Sequence, residues 1–262
     1  MAVAANTEQR TQAFYDGYWP KNVPDHQKTR EHIRAIVPAG RYRRALDGGC
    51  GTGVCSLALA ELADEVVSVD LSLGSIGTAV GLSHTAGVSN MTPCQASLLE
   101  LPLAPDSFDL VFSWGVIHHT VDPVRALNEL VRVLRPGGTL VLAVYLKTRL
   151  TFVHEAIRHV CLRLPPALRR PILRSFADLV RLGERFGHTT NVRDDNPLIE
   201  SQVEDWYFVP EKHFFAIEEM RALFQERGLT YEVVCEQTGR YRSSSNFIVR
   251  GRLVDSVAAS AG

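Results

Sequence analysis

Between Tyr42 and Tyr145, short β-branched and apolar runs alternate with longer amphipathic stretches, and that alternation leaves few folds open. RYRRALDGG reads as a strand, VCSLALAELA as an apolar-faced helix, EVVSVD as a second strand, and SLGSIGTAVGLSHTAG as a helix with Ser72 as its N-cap. NMTPCQA and SFDLVFSW supply a third and fourth strand, DPVRALNELVRVL a helix closed by RPGG, and TLVLAVY a fifth strand. Strands joined through helices at this spacing pair in parallel, with helices covering both sheet faces. Further on, IEEMRALFQERG is an amphipathic helix, and TYEVVCEQ and SSNFIVRGR are strands with no crossover helix between them, so they are expected as antiparallel neighbours.

The 262 residues, 45% of them hydrophobic, suffice for one large core with an added subdomain. The segments divide as 1–40, an N-terminal helical lid carrying FYDGYWP; 41–145, the core; 146–209, a helical lid insertion; and 210–262, the last helix and two strands. The insertion is basic and helical in its first half, acidic and proline-broken in its second. Its arginines are read as the solvated face of helices whose Leu and Ile side chains pack inward. A formal charge of −1 gives no global case for a nucleic-acid or membrane partner. The N-terminus lacks a secretory profile, and the five scattered cysteines, none at zinc spacing, fit a reducing compartment, so a cytoplasmic protein without a metal is expected.

The junction LDGGCGTG places glycines at alternate positions where the first strand hands over to a helix, although glycine is poor in either element. Bare backbone there lets a ligand approach without meeting a Cβ, at the edge where open α/β sheets bind ligands. Asp47 at the strand end suits a ligand with a positive group rather than a diphosphate. Asp70 closes the second strand 17 positions beyond Gly53, near the offset at which a carboxylate meets ribose hydroxyls, so a nucleoside is implied. Neither G-x-G-x-x-G nor a Walker sequence is present.

Asp47-x-Gly49-x-Gly51-x-Gly53, Asp70, LPLAPDSFDLVFSWGVIHHT and LRPGGTLVLAVY, in that order, resemble the consecutive motifs of class I S-adenosylmethionine-dependent methyltransferases. The nearest likeness is the small-molecule branch of ubiquinone and menaquinone methyltransferases. The resemblance implies an α/β, Rossmann-like, seven-stranded, mostly parallel sheet with an antiparallel last strand and helices on both faces. It also implies S-adenosyl-L-methionine as cofactor: Gly49 and Gly51 under its methionine portion, Asp47 facing its ammonium, Asp70 on the ribose, and Leu71 on the adenine. Ser97 and Leu98 fall where the family reads the adenine, and a serine stands where an acidic residue is usual.

Ser113, Trp114, His118 and His119 lie at the carboxyl edge of the fourth strand, where cofactor and acceptor meet, Ser113 on the cofactor side and the others toward the acceptor, and Tyr145 ends the fifth. The sulfonium is already activated, so positioning carries most of the chemistry, and His118 or His119 would serve as base only for a protonated acceptor. Tyr15, Tyr18 and Trp19 on the N-terminal segment, with Trp206 and Tyr207 in the insertion, are candidates for an aromatic acceptor pocket. The expected activity is methyl transfer to a small molecule. Alternatives are cyclisation of the cofactor's own aminobutyrate chain with release of methylthioadenosine, methylation of RNA or protein, and binding without catalysis. The acceptor and the oligomeric state stay open.

Overall fold

The computed structural model describes residues 2–18, 26–185, 199–237 and 246–254. Two helices, α1 (Ala2–Tyr18) and α2 (His26–Ile36), precede the first strand. The core then runs β1 (Tyr42–Gly48), α3 (Val54–Ala60), β2 (Ala63–Asp70), α4 (Leu73–Ala86), β3 (Met91–Gln95), β4 (Phe108–Trp114), α5 (Pro123–Val133) and β5 (Leu134–Tyr145). Helices α6 (Thr151–Leu162), α7 (Pro166–Arg185) and α8 (Ile199–Tyr207) form the insertion, and α9 (Ile217–Gln225), β6 (Glu232–Gln237) and β7 (Asn246–Arg252) complete the chain's described elements.

The seven strands form one sheet in the order β3-β2-β1-β4-β5-β7-β6. Strands β1 to β5 pair in parallel, and β7 is antiparallel to both β5 and β6. The expected architecture is therefore present, with β7 as the single reversed strand. Alternate residues of each strand serve opposite faces. Leu46, Val111, Leu140 and Leu142 meet Leu127 and Leu130 of α5 and Phe224 of α9, while Ala45, Leu110, Phe112 and Val141 meet Ile33 of α2 and Leu59 of α3. Ser72 caps α4, its Oγ accepting from the Ser75 amide at 3.0 Å, as expected. One boundary differs: RPGG does not end α5 as a separate turn but lies inside β5, which begins at Leu134 and shifts register against β4.

The parallel order brings the carboxyl ends of β1, β2 and β4 to one edge. Helix α1 crosses that edge and is fastened to it by two carboxylates. Asp16 accepts from Ser72 Oγ at 2.6 Å and from the Gly74 amide at 3.1 Å, and Glu8 accepts from Ser97 Oγ at 2.5 Å.

Candidate functional site

The glycine loop is strapped to β2. The amides of Gly49 and Cys50 donate to the Val69 carbonyl, and the Gly51 amide donates to Asp70 Oδ2 at 2.9 Å. Asp70 Oδ1 accepts from the Ser72 amide, also at 2.9 Å. A carboxylate has about four acceptor sites, so two remain for a ligand. Burial raises the Asp70 pKa against the lowering pull of those amides. Gly49, Gly51 and Gly53 hold φ of 84°, 52° and 83°, the left-handed region, which explains the residue type at this turn.

Two adjoining cavities open on the edge and share Gly49 and Trp114. The first, about 310 Å³, is walled by Asp70, Leu71, Ser97 and Leu98 at one end and by His119, Tyr145 and Asp205 at the other, with Tyr15 and Tyr18 of α1 above. The second, about 340 Å³, is lined by Asp47, Gly51, Cys50 and Thr52 of the loop and by Lys28 and His32 of α2. Asp47 is buried, with Oδ2 accepting from Ser56 Oγ at 2.6 Å. Burial pushes its carboxyl up to about 7; the Ser56 bond opposes that rise and the charge of Asp70 adds to it.

Nearly all the cofactor-side residues expected from sequence thus meet at one place. Ser113 does not line it: its hydroxyl donates to the Gly48 carbonyl at 2.7 Å, stitching β4 to β1. Trp206 and Tyr207 are likewise elsewhere, packed on Ala177, Ile199 and Val203 in a small core between α7 and α8, with Tyr207 stacked on His154. Trp19 lies outside the described residues. Sequence reasoning passed over Glu8, Lys28, His32 and Asn246, which reach the cavities from distant parts of the chain.

The end of the first cavity opposite Asp70 is a hydrogen-bonded cluster around Asp205 of α8. Tyr145 Oη donates to its Oδ2 at 2.6 Å and Tyr15 Oη to its Oδ1 at 3.1 Å, while His119 Nε2 stands 3.6 Å away. Burial would raise the Asp205 pKa, but His119, Lys212 and the two phenols outweigh it, and the group stays ionised below the usual carboxylate range. Lys212 lies over the Tyr145 ring at 4.0 Å, and burial brings its pKa down to about 8. His119 Nδ1 is 2.9 Å from the Glu211 carbonyl, which only accepts, so Nδ1 carries the hydrogen and Nε2 presents a lone pair. Burial sets the His119 pKa down to about 4, with Asp205 pulling the other way. His118 is buried outside the cavity lining, its ring 4.1 Å from that of Tyr145 and both ring nitrogens without partners among the described residues. Desolvation likewise keeps it neutral.

A nucleoside with an amino acid tail fits this arrangement. Asp70 keeps free lone pairs beside an apolar wall, the backbone at Gly49 and Gly51 is bare, and Asn246 Oδ1 and Thr11 Oγ1 line the cavity without hydrogen-bond partners among the described residues. The sheet order, the glycine loop and the β2-terminal carboxylate are the features expected from the resemblance to class I S-adenosylmethionine-dependent methyltransferases. Residues 46–142 match the sequence family described as "Methyltransferase domain".

Among relatives, a demethylmenaquinone methyltransferase of Clavibacter sepedonicus is 40% identical over 110 residues, 42% of this chain and 43% of that one. A 27-O-demethylrifamycin SV methyltransferase of Amycolatopsis mediterranei is 30% identical over 139 residues, 51% of each chain. The matched stretch spans about half or less of the curated relatives' lengths. The N-methyltransferase NodS of Bradyrhizobium japonicum, solved with S-adenosyl-L-homocysteine, superposes with a TM-score of 0.57 at 18% identity, covering 95% of this chain and all of that one. At that identity the likeness concerns the fold.

Proposed function

We propose that the protein transfers a methyl group from S-adenosylmethionine to a hydroxyl of a small molecule. The observation that carries this reading is the cavity whose one end offers Asp70 to a ribose and whose other end gathers Asp205, Tyr15, Tyr145 and His119. Its volume, about 310 Å³, is of the order of a small-molecule site, at roughly 300 to 1,000 Å³. The cofactor supplies an activated methyl on sulfur. The chain's task is to hold the acceptor in line, exclude water and take up a proton.

His119 Nε2 is the proton acceptor, and Asp205 is positioned to stabilise the imidazolium that results. A base with a pKa of about 4 helps only a proton that turns strongly acidic during reaction. A hydroxyl becomes an oxonium on methylation and meets that condition, whereas an amine becomes a stable ammonium and needs no such base. The 27-O position in the name of the Amycolatopsis relative agrees with a hydroxyl acceptor. Helices α1 and α8 act as a lid, joined across the cavity by the Tyr15–Asp205 bond.

The test is incubation of the purified protein with S-adenosylmethionine, first alone and then with a panel of phenols, alcohols and amines, followed by mass spectrometry. S-adenosylhomocysteine forming only with hydroxyl acceptors supports the reading. Methylthioadenosine without an acceptor would establish cyclisation instead, and turnover confined to amines would remove the role of His119.

Glu8 is assigned to the adenine amino group. With Asp70 on the ribose, the base lies toward Leu71, Ser97 and Leu98, and Glu8 is the carboxylate at that end of the wall. It supplies the acid that Ser97 does not. Glu8→Gln is expected to weaken S-adenosylhomocysteine binding about tenfold, the value of a charge-assisted hydrogen bond. It should leave S-inosylhomocysteine, which has no amino group there, little affected. Equal losses for both ligands in calorimetry would refute the assignment.

Cofactor affinity should also rise with pH. Asp47 holds a proton below about 7, and an ammonium beside it expels that proton, so binding is proton-coupled below that pH and independent of it above. From pH 8 to pH 6 the affinity for S-adenosylhomocysteine is expected to fall roughly tenfold. His32, kept below its ordinary range by burial, changes charge at lower pH. Titrations of Asp47→Asn should be nearly flat between pH 6 and pH 8; an unchanged slope would point to another group.

A further inference from the structure

Helix α6 is inside out. Its buried positions are His154, Arg158 and Cys161, while Phe152 is 72% and Val160 63% exposed, with Val153, Ala156 and His159 on the same outward stripe. The spacing 152, 153, 156, 160 is one face of an α-helix. The inward polar groups bond to the body of the protein: His154 Nε2 lies 3.0 Å from the Trp206 carbonyl, and Arg158 Nη2 donates to the carbonyls of Val209 and Pro210. The sequence reading of solvated arginines over inward-packed aliphatics therefore does not hold for α6. Helix α7 adds Leu168, Leu179 and Leu182, exposed at 50%, 70% and 50%. Of the ten large apolar side chains exposed among the described residues, seven fall between Leu150 and Leu182.

The same stretch is strongly basic. From Arg149 to Leu182 there are seven arginines against Glu155 and Asp178, a formal +5 within a chain of net −1. Arg149, Arg163, Arg169, Arg170 and Arg174 are exposed, and Asp178 is paired with Arg181 at 2.8 Å. Apolar side chains flanked by arginines on an outward helix face are the signature of a helix lying in a lipid interface. No helix among the described residues is long and apolar enough to cross a membrane, so attachment would be peripheral.

We propose that the outward faces of α6 and α7 dock on an anionic phospholipid surface. Charge selects this occupant. A second copy offering the same face would bring the exposed arginines Arg149, Arg163, Arg169, Arg170 and Arg174 against their own copies, and the other exposed apolar residues, Leu73, Val124 and Val254, stand apart from one another on α4, on α5 and after β7. A nucleic acid would match the arginines but leave Phe152, Val160 and Leu179 with nothing apolar to bury against. The location has a use: a cleft of about 710 Å³ runs between α7 and α1, lined by Arg169, Arg170 and Leu173 and ending at Tyr18, which also lines the cofactor cavity. Docking needs no turnover, so it stands or falls separately from methyl transfer.

The experiment is flotation of the full chain with two vesicle types at low salt, one of phosphatidylcholine alone and one of two parts phosphatidylcholine to one part phosphatidylglycerol. Partition onto the mixed vesicles is expected to be at least about tenfold stronger and to fall steeply with added salt. The double change Phe152→Ser and Val160→Ser should lower it about tenfold, and Arg163→Gln with Arg174→Gln should remove the lipid preference. S-adenosylhomocysteine binding, unchanged in both variants, shows that they fold. Absence of binding to the mixed vesicles, or binding indifferent to both variants, would overturn the proposal. So would sedimentation velocity showing a dimer that the Phe152 and Val160 changes dissociate, or tighter binding to single-stranded RNA than to vesicles.

Discussion

Replacing Asp205 by alanine should cut methyl transfer by at least about a hundredfold while changing S-adenosylhomocysteine affinity by less than about threefold, because the residue organises the end of the cavity opposite Asp70. Its carboxylate accepts from Tyr15 and Tyr145, faces His119 and offsets the charge of Lys212. Without it, two phenols lose their acceptor, at about 1 to 3 kcal/mol each, and a buried ammonium loses its counter-charge, at about 3 to 5 kcal/mol. Those costs fall on contacts that join α8 to α1 and β5, so the first consequence is separation of the helices over the cavity. Stability also falls, and the Lys212 pKa moves below about 8, since Asp205, ahead of Glu155, is the larger of the charges that hold it up. Asp205→Asn separates the two effects. The amide keeps the volume and one acceptor oxygen but neither stabilises a protonated His119 nor offsets Lys212. It should be more stable than the alanine variant, since the phenols keep an acceptor, while staying as inactive. Full activity in Asp205→Asn would show that the carboxylate serves packing alone and would remove Asp205 from the proposed chemistry.

Why this cluster was hard to read from sequence follows from where its members lie. Tyr15 and Asp205 are 190 positions apart and Tyr145 and Asp205 are 60 apart, and no local period links them. The strands were legible because each is a short apolar run bounded by turn residues, and sheet order then follows from a parallel doubly wound chain. The glycine loop and Asp70 were legible because backbone conformation and strand register fix them locally: Gly51 and Asp70 meet through one hydrogen bond at the ends of adjacent strands. Glu8 was not, since its partner Ser97 lies 89 residues away on the far side of two βα units. The orientation of α6 was not legible either. HEAIRHVCL is amphipathic on any reading, but which stripe turns inward depends on whether the body offers apolar side chains or bare carbonyls, and here it offers the carbonyls of Trp206, Val209 and Pro210. Trp206 and Tyr207 mislead for the related reason that large aromatics are what a small helical layer needs for its own core.

Gly49→Ala should abolish detectable cofactor binding and lower the melting temperature by about 6 to 12 °C, following from a loss near 3 kcal/mol in a domain of this size. Two separable costs add up. At φ 84° an alanine sits in the left-handed region, at about 1 to 2 kcal/mol. Its Cβ would also fall within 2.3 and 2.4 Å of the two methyls of Val116 and 2.8 Å of the Val116 Cβ, so the whole β-branched side chain must move, at about 1 to 3 kcal/mol. Val116 directly precedes the 3₁₀ turn Ile117–His119 and lines the first cavity, and displacement there shifts His119 together with the cavity wall. Gly115→Ala isolates the first cost: its φ is 72°, and nothing lies within 4 Å of the added Cβ, so about 1 kcal/mol and near-normal cofactor binding are expected. Val116→Ala in the Gly49→Ala background should return part of the lost stability by making room, but not the part due to φ, and the double-mutant cycle measures that difference as a coupling of about 1 to 3 kcal/mol. If Gly49→Ala melts like Gly115→Ala and binds S-adenosylhomocysteine normally, then the glycine serves only the turn, and the close approach of backbone to ligand at the end of β1 is refuted.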